Sequence, residues 1–87
     1  MADRKPMKDQ SFRIDDIYVP AKRRATLDPE AVEDIAESML ADGQKTPILV
    51  RADGLRYVLV EGLQRLEAAR SLGEETILCT LVQARRR

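Results

Sequence analysis

Val60-Glu61-Gly62-Leu63-Gln64-Arg65-Leu66-Glu67-Ala68-Ala69-Arg70 is the stretch on which the fold turns. The apolar run Tyr57-Val58-Leu59-Val60 before it reads as a strand. The chain passes through Glu61-Gly62 straight into a helical segment, residues 63–72, that turns Leu66, Ala69 and Leu72 inward and stops at Gly73. Ser, Thr, Asp and Asn, the usual helix caps, are all missing from this junction. Gly62 has no side chain to offer, so the first-turn N–H groups stay free at the positive end of the helix dipole. Arg65 adds a positive charge three residues on. A strand, a glycine, a bare helix start and an arginine make a candidate phosphate site. The alternative is that water caps this helix and Gly62 only permits the turn. The segment alone leaves both readings open.

Working outward, Leu27-Asp28-Pro29 is a helix start, with Asp28 as N-cap, Pro29 at the first helical position, and Leu27 and Val32 as a hydrophobic staple. Val32, Ile35, Ala36, Met39 and Leu40 recur on one face of that helix, and Gly43 ends it. Residues 48–51 read as a buried strand, and Asp53-Gly54 turns the chain into residues 56–60. Residues 76–82 read as a last strand holding Cys79, and residues 12–19 as an irregular first strand ended by Pro20. The expected order is β-α-β-β-α-β, a small single-domain α+β fold. Order alone also allows a ferredoxin-like split βαβ arrangement. The expected domain covers residues 11–84, with a flexible arm at residues 1–10 and a basic tail at residues 85–87.

Composition narrows the function classes. The chain has 87 residues, 44% hydrophobic and 34% charged, which suits one soluble domain with a modest core. Aromatics make up 3%, so the core must be aliphatic, and a base-stacking surface for single strands is disfavoured. Net charge is zero, so a uniform basic field for duplex DNA is absent. Charge is nevertheless segregated. Lys22-Arg23-Arg24 and Arg85-Arg86-Arg87 are basic, whereas every charge from Asp28 to Asp42 is acidic. Arg23 and Arg24 are expected in a loop, as ligand contacts or as solvated charge in equal measure. There is no histidine, which excludes a zinc site or a Ser-His-Asp triad by inventory. A single cysteine permits no internal disulfide and fits a reducing, cytoplasmic setting. The sequence has no apolar run long enough to cross a membrane and no signal-peptide core.

Four pieces stand in order. They are Arg24-Ala25-Thr26-Leu27-Asp28; Ile35-Ala36-Glu37-Ser38-Met39; Gly43 followed by Thr46-Pro47-Ile48-Leu49-Val50; and Glu61-Gly62-Leu63-Gln64-Arg65 with Glu67-Ala68-Ala69. Together they resemble the N-terminal domain of ParB partition proteins, and equally sulfiredoxin of the same superfamily. The resemblance runs from about Phe12 to Val82 and implies a ParB/sulfiredoxin-like fold. In ParB a Gly-Glu-Arg-Arg run binds the triphosphate of CTP. It matches Gly62, Leu63, Gln64 and Arg65, of which only the glycine and the last arginine are kept. In sulfiredoxin the run is Gly-Cys-His-Arg, with the cysteine as nucleophile. Leu63 stands at that cysteine, so sulfiredoxin chemistry cannot occur there. Sulfiredoxin's early-helix lysine for ATP matches Ala31, while a hydroxyl further along is kept as Ser38. A serine-kinase branch reads Asp-Gly-His-His-Arg, and Glu61 would match its carboxylate.

The resemblance therefore implies a nucleotide site at Gly62, Leu63, Gln64, Arg65, Arg24, Ser38, Gly43 and Thr46. Glu61 would be a magnesium ligand or general base, or else a solvated strand-end residue, since a carboxylate beside phosphate repels it without a bridging cation. The expected function is binding of a nucleoside triphosphate, ATP or CTP with Mg2+, with or without slow hydrolysis. One alternative is a DNA-linked partition or regulatory factor without its own helix-turn-helix, touching DNA nonspecifically or through a partner protein. Another is a small-molecule phosphotransferase. A homodimer is compatible with each.

Overall fold

The structure is a computed structural model that describes residues 9–83. The expected arm up to Lys8 and the Arg85-Arg86-Arg87 tail lie outside the described residues. The strands are β1 (Asp9–Arg13), β2 (Ile17–Tyr18), β3 (Ile48–Asp53), β4 (Arg56–Glu61) and β5 (Thr76–Val82). The helices are α1 (Ala21–Arg24), α2 (Pro29–Asp42) and α3 (Leu63–Ser71). One mixed sheet runs β1-β5-β3-β4-β2. The β3–β4 and β1–β5 pairs are antiparallel, and the β3–β5 and β2–β4 pairs are parallel.

The central hairpin forms as its sequence predicts. Asp53 pairs with Arg56 across a two-residue turn, Gly54-Leu55, and Gly54 takes φ 65°. Such turns match strand twist when the central glycine adopts positive φ. Asp28 caps α2, its Oδ1 accepting from Glu30 N–H at 3.1 Å. At the other end Gly43, at φ 78°, donates its N–H to Met39 O at 2.8 Å. The expected apolar face of α2 ends at Met39. Leu40 is 74% exposed, because its helical angle lies at the flank of the narrow stripe that packs toward α3.

The beginning of the chain departs from expectation. Residues 12–19 are two strands and a 3-10 turn over Ile14–Asp16, not one irregular strand. Alternation holds from Phe12 to Ile14, then breaks at exposed Asp15 and Asp16, and the next buried residue is Ile17. The i, i+3 spacing of Ile14 and Ile17 suits a tight turn rather than a pleat. That turn lets β1 and β2 occupy opposite edges of the sheet. The first strand also begins at Asp9, where the chain was expected to be a loose arm. Asp9 pairs with Thr80, and Thr80 Oγ1 donates to Asp9 Oδ1 at 2.7 Å. Among the described residues the expected β-α-β-β-α-β order is therefore corrected to five strands and three α-helices, while the α+β class stands.

The core is aliphatic. Ile14, Ile17, Val19, Ile48, Val50, Leu59, Leu63, Leu66, Ala69, Ile77 and Cys79 form one buried cluster. Fully buried Ala68 and Ala69 let α3 lie close to its neighbours. Phe12 and Tyr57 stack at 4.1 Å against this cluster, which accounts for two of the three aromatics. Gln44 closes the sheet where β3 has not yet begun. Its Oε1 accepts from Leu78 N–H at 2.8 Å and its Nε2 donates to Leu78 O at 2.9 Å, as a strand residue would.

Candidate phosphate-binding site

The β4–α3 junction takes the form expected from the sequence. Gly62 occupies the N-cap position of α3 with φ 116° and ψ 30°, and no side chain caps the helix. The first intrahelical bond is Leu66 N–H to Gly62 O at 2.9 Å. The N–H groups of Leu63, Gln64 and Arg65 precede it, so the helix itself supplies them no acceptor. These three residues line a cavity of about 330 Å3 together with Arg23, Thr26, Ile35, Glu61 and Gly62.

The cavity gathers Glu61, Gly62, Leu63, Gln64 and Arg65, as the sequence led us to expect. The Leu63 side chain is buried in the core, so this residue can offer a ligand its backbone only. Other expected residues stand elsewhere. Arg24 does not line the cavity; its Nη2 donates to Val19 O at 3.3 Å. Its neighbour Arg23 lines the cavity instead. These arginines lie on the short helix α1 rather than in a loop, and one residue along a helix turns the side chain by about 100°. Ser38 and Thr46 are exposed and neither lines the cavity. Gly43 borders a separate cleft with Met39, Leu40, Gln44, Leu72, Glu74 and Thr76. Gln44, beside Gly43, spends its amide on Leu78.

Thr26 and Ile35 are lining residues that the sequence reading missed. Gln64 turns its carboxamide toward the α1–α2 connection, where Oε1 accepts from Asp28 N–H and Nε2 donates to Thr26 O, both at 2.9 Å. Arg23, Arg65 and the helix N-terminus make the cavity cationic, and among the described residues Glu61 is the one carboxylate on its wall. Among the described residues no three acidic or thiol side chains cluster as a metal cage. Glu61 alone could not hold Mg2+. Together with substrate phosphate and water it would be the kind of single carboxylate by which Mg2+ is commonly held.

Cys79 offers no substitute nucleophile. It is fully buried, and its Sγ–H donates to Ile77 O at 3.3 Å. Burial pushes the thiol up from 9.0 to about 11, a backbone contact at Phe12 acting weakly the other way. A buried protonated thiol is inert. It also gives stability a pH slope. Below pH 9.0 the thiol is protonated whether the chain is folded or not. Between 9.0 and about 11 the unfolded chain has lost the proton and the folded chain keeps it, so stability falls as pH rises. Cys79→Ala should flatten that part of the slope in denaturant titrations. An unaltered slope would place the thiol in contact with solvent.

Among the described residues, no helix is long and apolar enough to cross a membrane. Several solved structures share the fold. Sulfiredoxin from Arabidopsis thaliana superposes with a TM-score of 0.80 at 26% identity, over 88% of this chain and 86% of that one. A C-terminally truncated chromosome-partitioning protein ParB from Caulobacter crescentus, complexed with CTP-gamma-S, gives 0.77 at 27% identity over 90% of this chain and 46% of that one. A free serine kinase in complex with ADP gives 0.76 at 20% identity over 90% and 32%, a likeness of fold alone. In sequence, a probable chromosome-partitioning protein ParB from Campylobacter jejuni is 35% identical over 74 residues, which span 82% of this chain and 27% of that protein. A probable ParB from Neisseria meningitidis is 41% identical over 51 residues, 58% of this chain and 18% of that protein. The chain thus spans about a quarter or less of these relatives. The family model of the ParB N-terminal domain matches residues 4–87, and this chain belongs to the ParB N-terminal domain family.

Proposed function

We propose that this domain binds the phosphates of a nucleoside triphosphate, with Mg2+, at the N-terminus of α3. The observation that carries the reading is the uncapped first turn of α3 opening into a cavity that also holds Arg23 and Arg65. Free N–H groups and two guanidinium ions are the partners that polyphosphate requires. The Caulobacter relative, crystallised with CTP-gamma-S, supports the same ligand class. Leu63 and Gln64 replace charged or reactive family residues, so in this chain the phosphate contacts fall to the backbone, Arg65 and Arg23. Glu61 would share a bound Mg2+ with the phosphate, or take a proton from water in slow hydrolysis. Arg65→Ala should weaken MgATP or MgCTP binding by about 1.5–3 kcal/mol, the scale of a charge-assisted hydrogen bond. Calorimetry across ATP, CTP, GTP and UTP tests this, and equal affinity in wild type and variant would reject the site.

The partition proteins among the relatives favour one further statement about context. As part of such a protein, this module would report nucleotide state to domains that read DNA. Its own DNA contacts, through Lys22-Arg23-Arg24, would be phosphate contacts that are weak, salt-sensitive and blind to sequence.

A further inference from the structure

The α1–α2 connection is poorly anchored by apolar packing. No residue from Ala21 to Glu30 is buried, and Leu27 is 43% exposed. Yet this connection sets the position of one wall of the cavity, because Arg23 and Thr26 both line it. Within the connection, Thr26 Oγ1 donates to Arg23 O at 2.7 Å, and Thr26 N–H donates to the same oxygen at 2.9 Å. These bonds tie the Arg23 backbone to Thr26. Across to α3 the tie is the Gln64 carboxamide, which pairs with Asp28 N–H and Thr26 O at once. One acceptor and one donor on a single planar group fix both the distance and the orientation of the loop.

We infer that Gln64 is a positioning residue: it holds the Thr26–Asp28 loop, and through it Arg23, against the first turn of α3, and does not itself contact phosphate. The inference rests on the phosphate reading above. It differs from a direct role at this position because the carboxamide's acceptor and one of its donors are already paired within the protein. Binding in this domain then depends on Gln64 only as far as it depends on Arg23.

That dependence is measurable. Gln64→Met keeps the length of the side chain and removes both hydrogen bonds. The variant should unfold in a single cooperative transition and exchange the Asp28 amide faster than wild type. It should bind MgATP or MgCTP roughly tenfold more weakly, the effect of losing one to two net hydrogen bonds. In an Arg23→Ala background, adding Gln64→Met should cost less than about twofold, since coupled residues are not additive. Full additivity of the two substitutions would mean that Gln64 contacts the ligand directly, and would overturn the inference. Unchanged Asp28 exchange in Gln64→Met would overturn it as well, whatever the binding data show. If wild type binds neither nucleotide, the phosphate reading fails, and Asp28 exchange alone then decides whether Gln64 holds the loop.

Discussion

Gly62→Ala should melt far below wild type and lose the phosphate site with the fold. Two separate penalties meet at this residue. Gly62 has φ 116°, a backbone conformation that L side chains rarely adopt. Left-handed backbone costs a residue with a Cβ roughly 1–2 kcal/mol. The added Cβ would also stand 2.6 Å from Ile48 Cγ2 and 2.8 Å from Ile48 Cβ. Ile48 is 1% exposed and opens β3, the middle strand of the sheet, so it has no free space into which to withdraw. Overpacking of this kind costs about 1–3 kcal/mol more. The sum, roughly 2–5 kcal/mol, is a large share of a small domain's stability. Thermal unfolding should shift down by roughly 10 °C or more. Gly43→Ala is the control, because it has positive φ but nothing within 4 Å of the new Cβ, so only the conformational cost applies. Equal melting of the two variants would show that the Ile48 contact does not matter.

Leu66→Ala should be comparably damaging for a different reason. Leu66 is 0% exposed and is among the largest fully buried side chains. It sits one turn into α3, in the same buried cluster as Leu63, Ala69, Ile48 and Val50. Truncation removes transferred area and leaves a cavity, which together cost about 3–5 kcal/mol. Denaturant unfolding measures this as a lower midpoint at unchanged slope. Nucleotide affinity should survive in whatever fraction remains folded, since the free N–H groups belong to the backbone ahead of Leu66. Loss of affinity in a fully folded Leu66→Ala protein would instead mean that packing beneath the helix tunes the site.

The elements that were legible in the sequence carry their signals within a few residues. Asp28 and Pro29 announce α2 because cap and first turn are neighbours in the chain, and Asp28 does cap Glu30. The Asp53-Gly54 turn announces the β3–β4 hairpin for the same reason. At the site, Glu61-Gly62 and Arg65 are close in sequence and remain close on the cavity wall. The misplaced residues depended on distant partners. Arg24 was favoured over Arg23 because nothing local shows which of two adjacent arginines faces a cavity whose other wall begins at Glu61. Gln64 reads, from the resemblance, as a nucleotide contact, and its carboxamide pairs with backbone groups 36 and 38 residues away.

The sequence by itself determined the two long helices, the hairpin, the last strand, the aliphatic core and the bare start of α3. These follow from dihedral preference, capping and hydrophobic period, which act over one or two turns. Only the tertiary structure decided that residues 9–18 divide between opposite sheet edges, that Arg23 and Thr26 complete the cavity, and that Gln64 ties them to α3. An edge strand exists only by pairing, as Asp9 does with Thr80. A carboxamide's role likewise depends on which backbone groups the finished fold leaves unpaired beside it, and that is set by the packing of the whole chain.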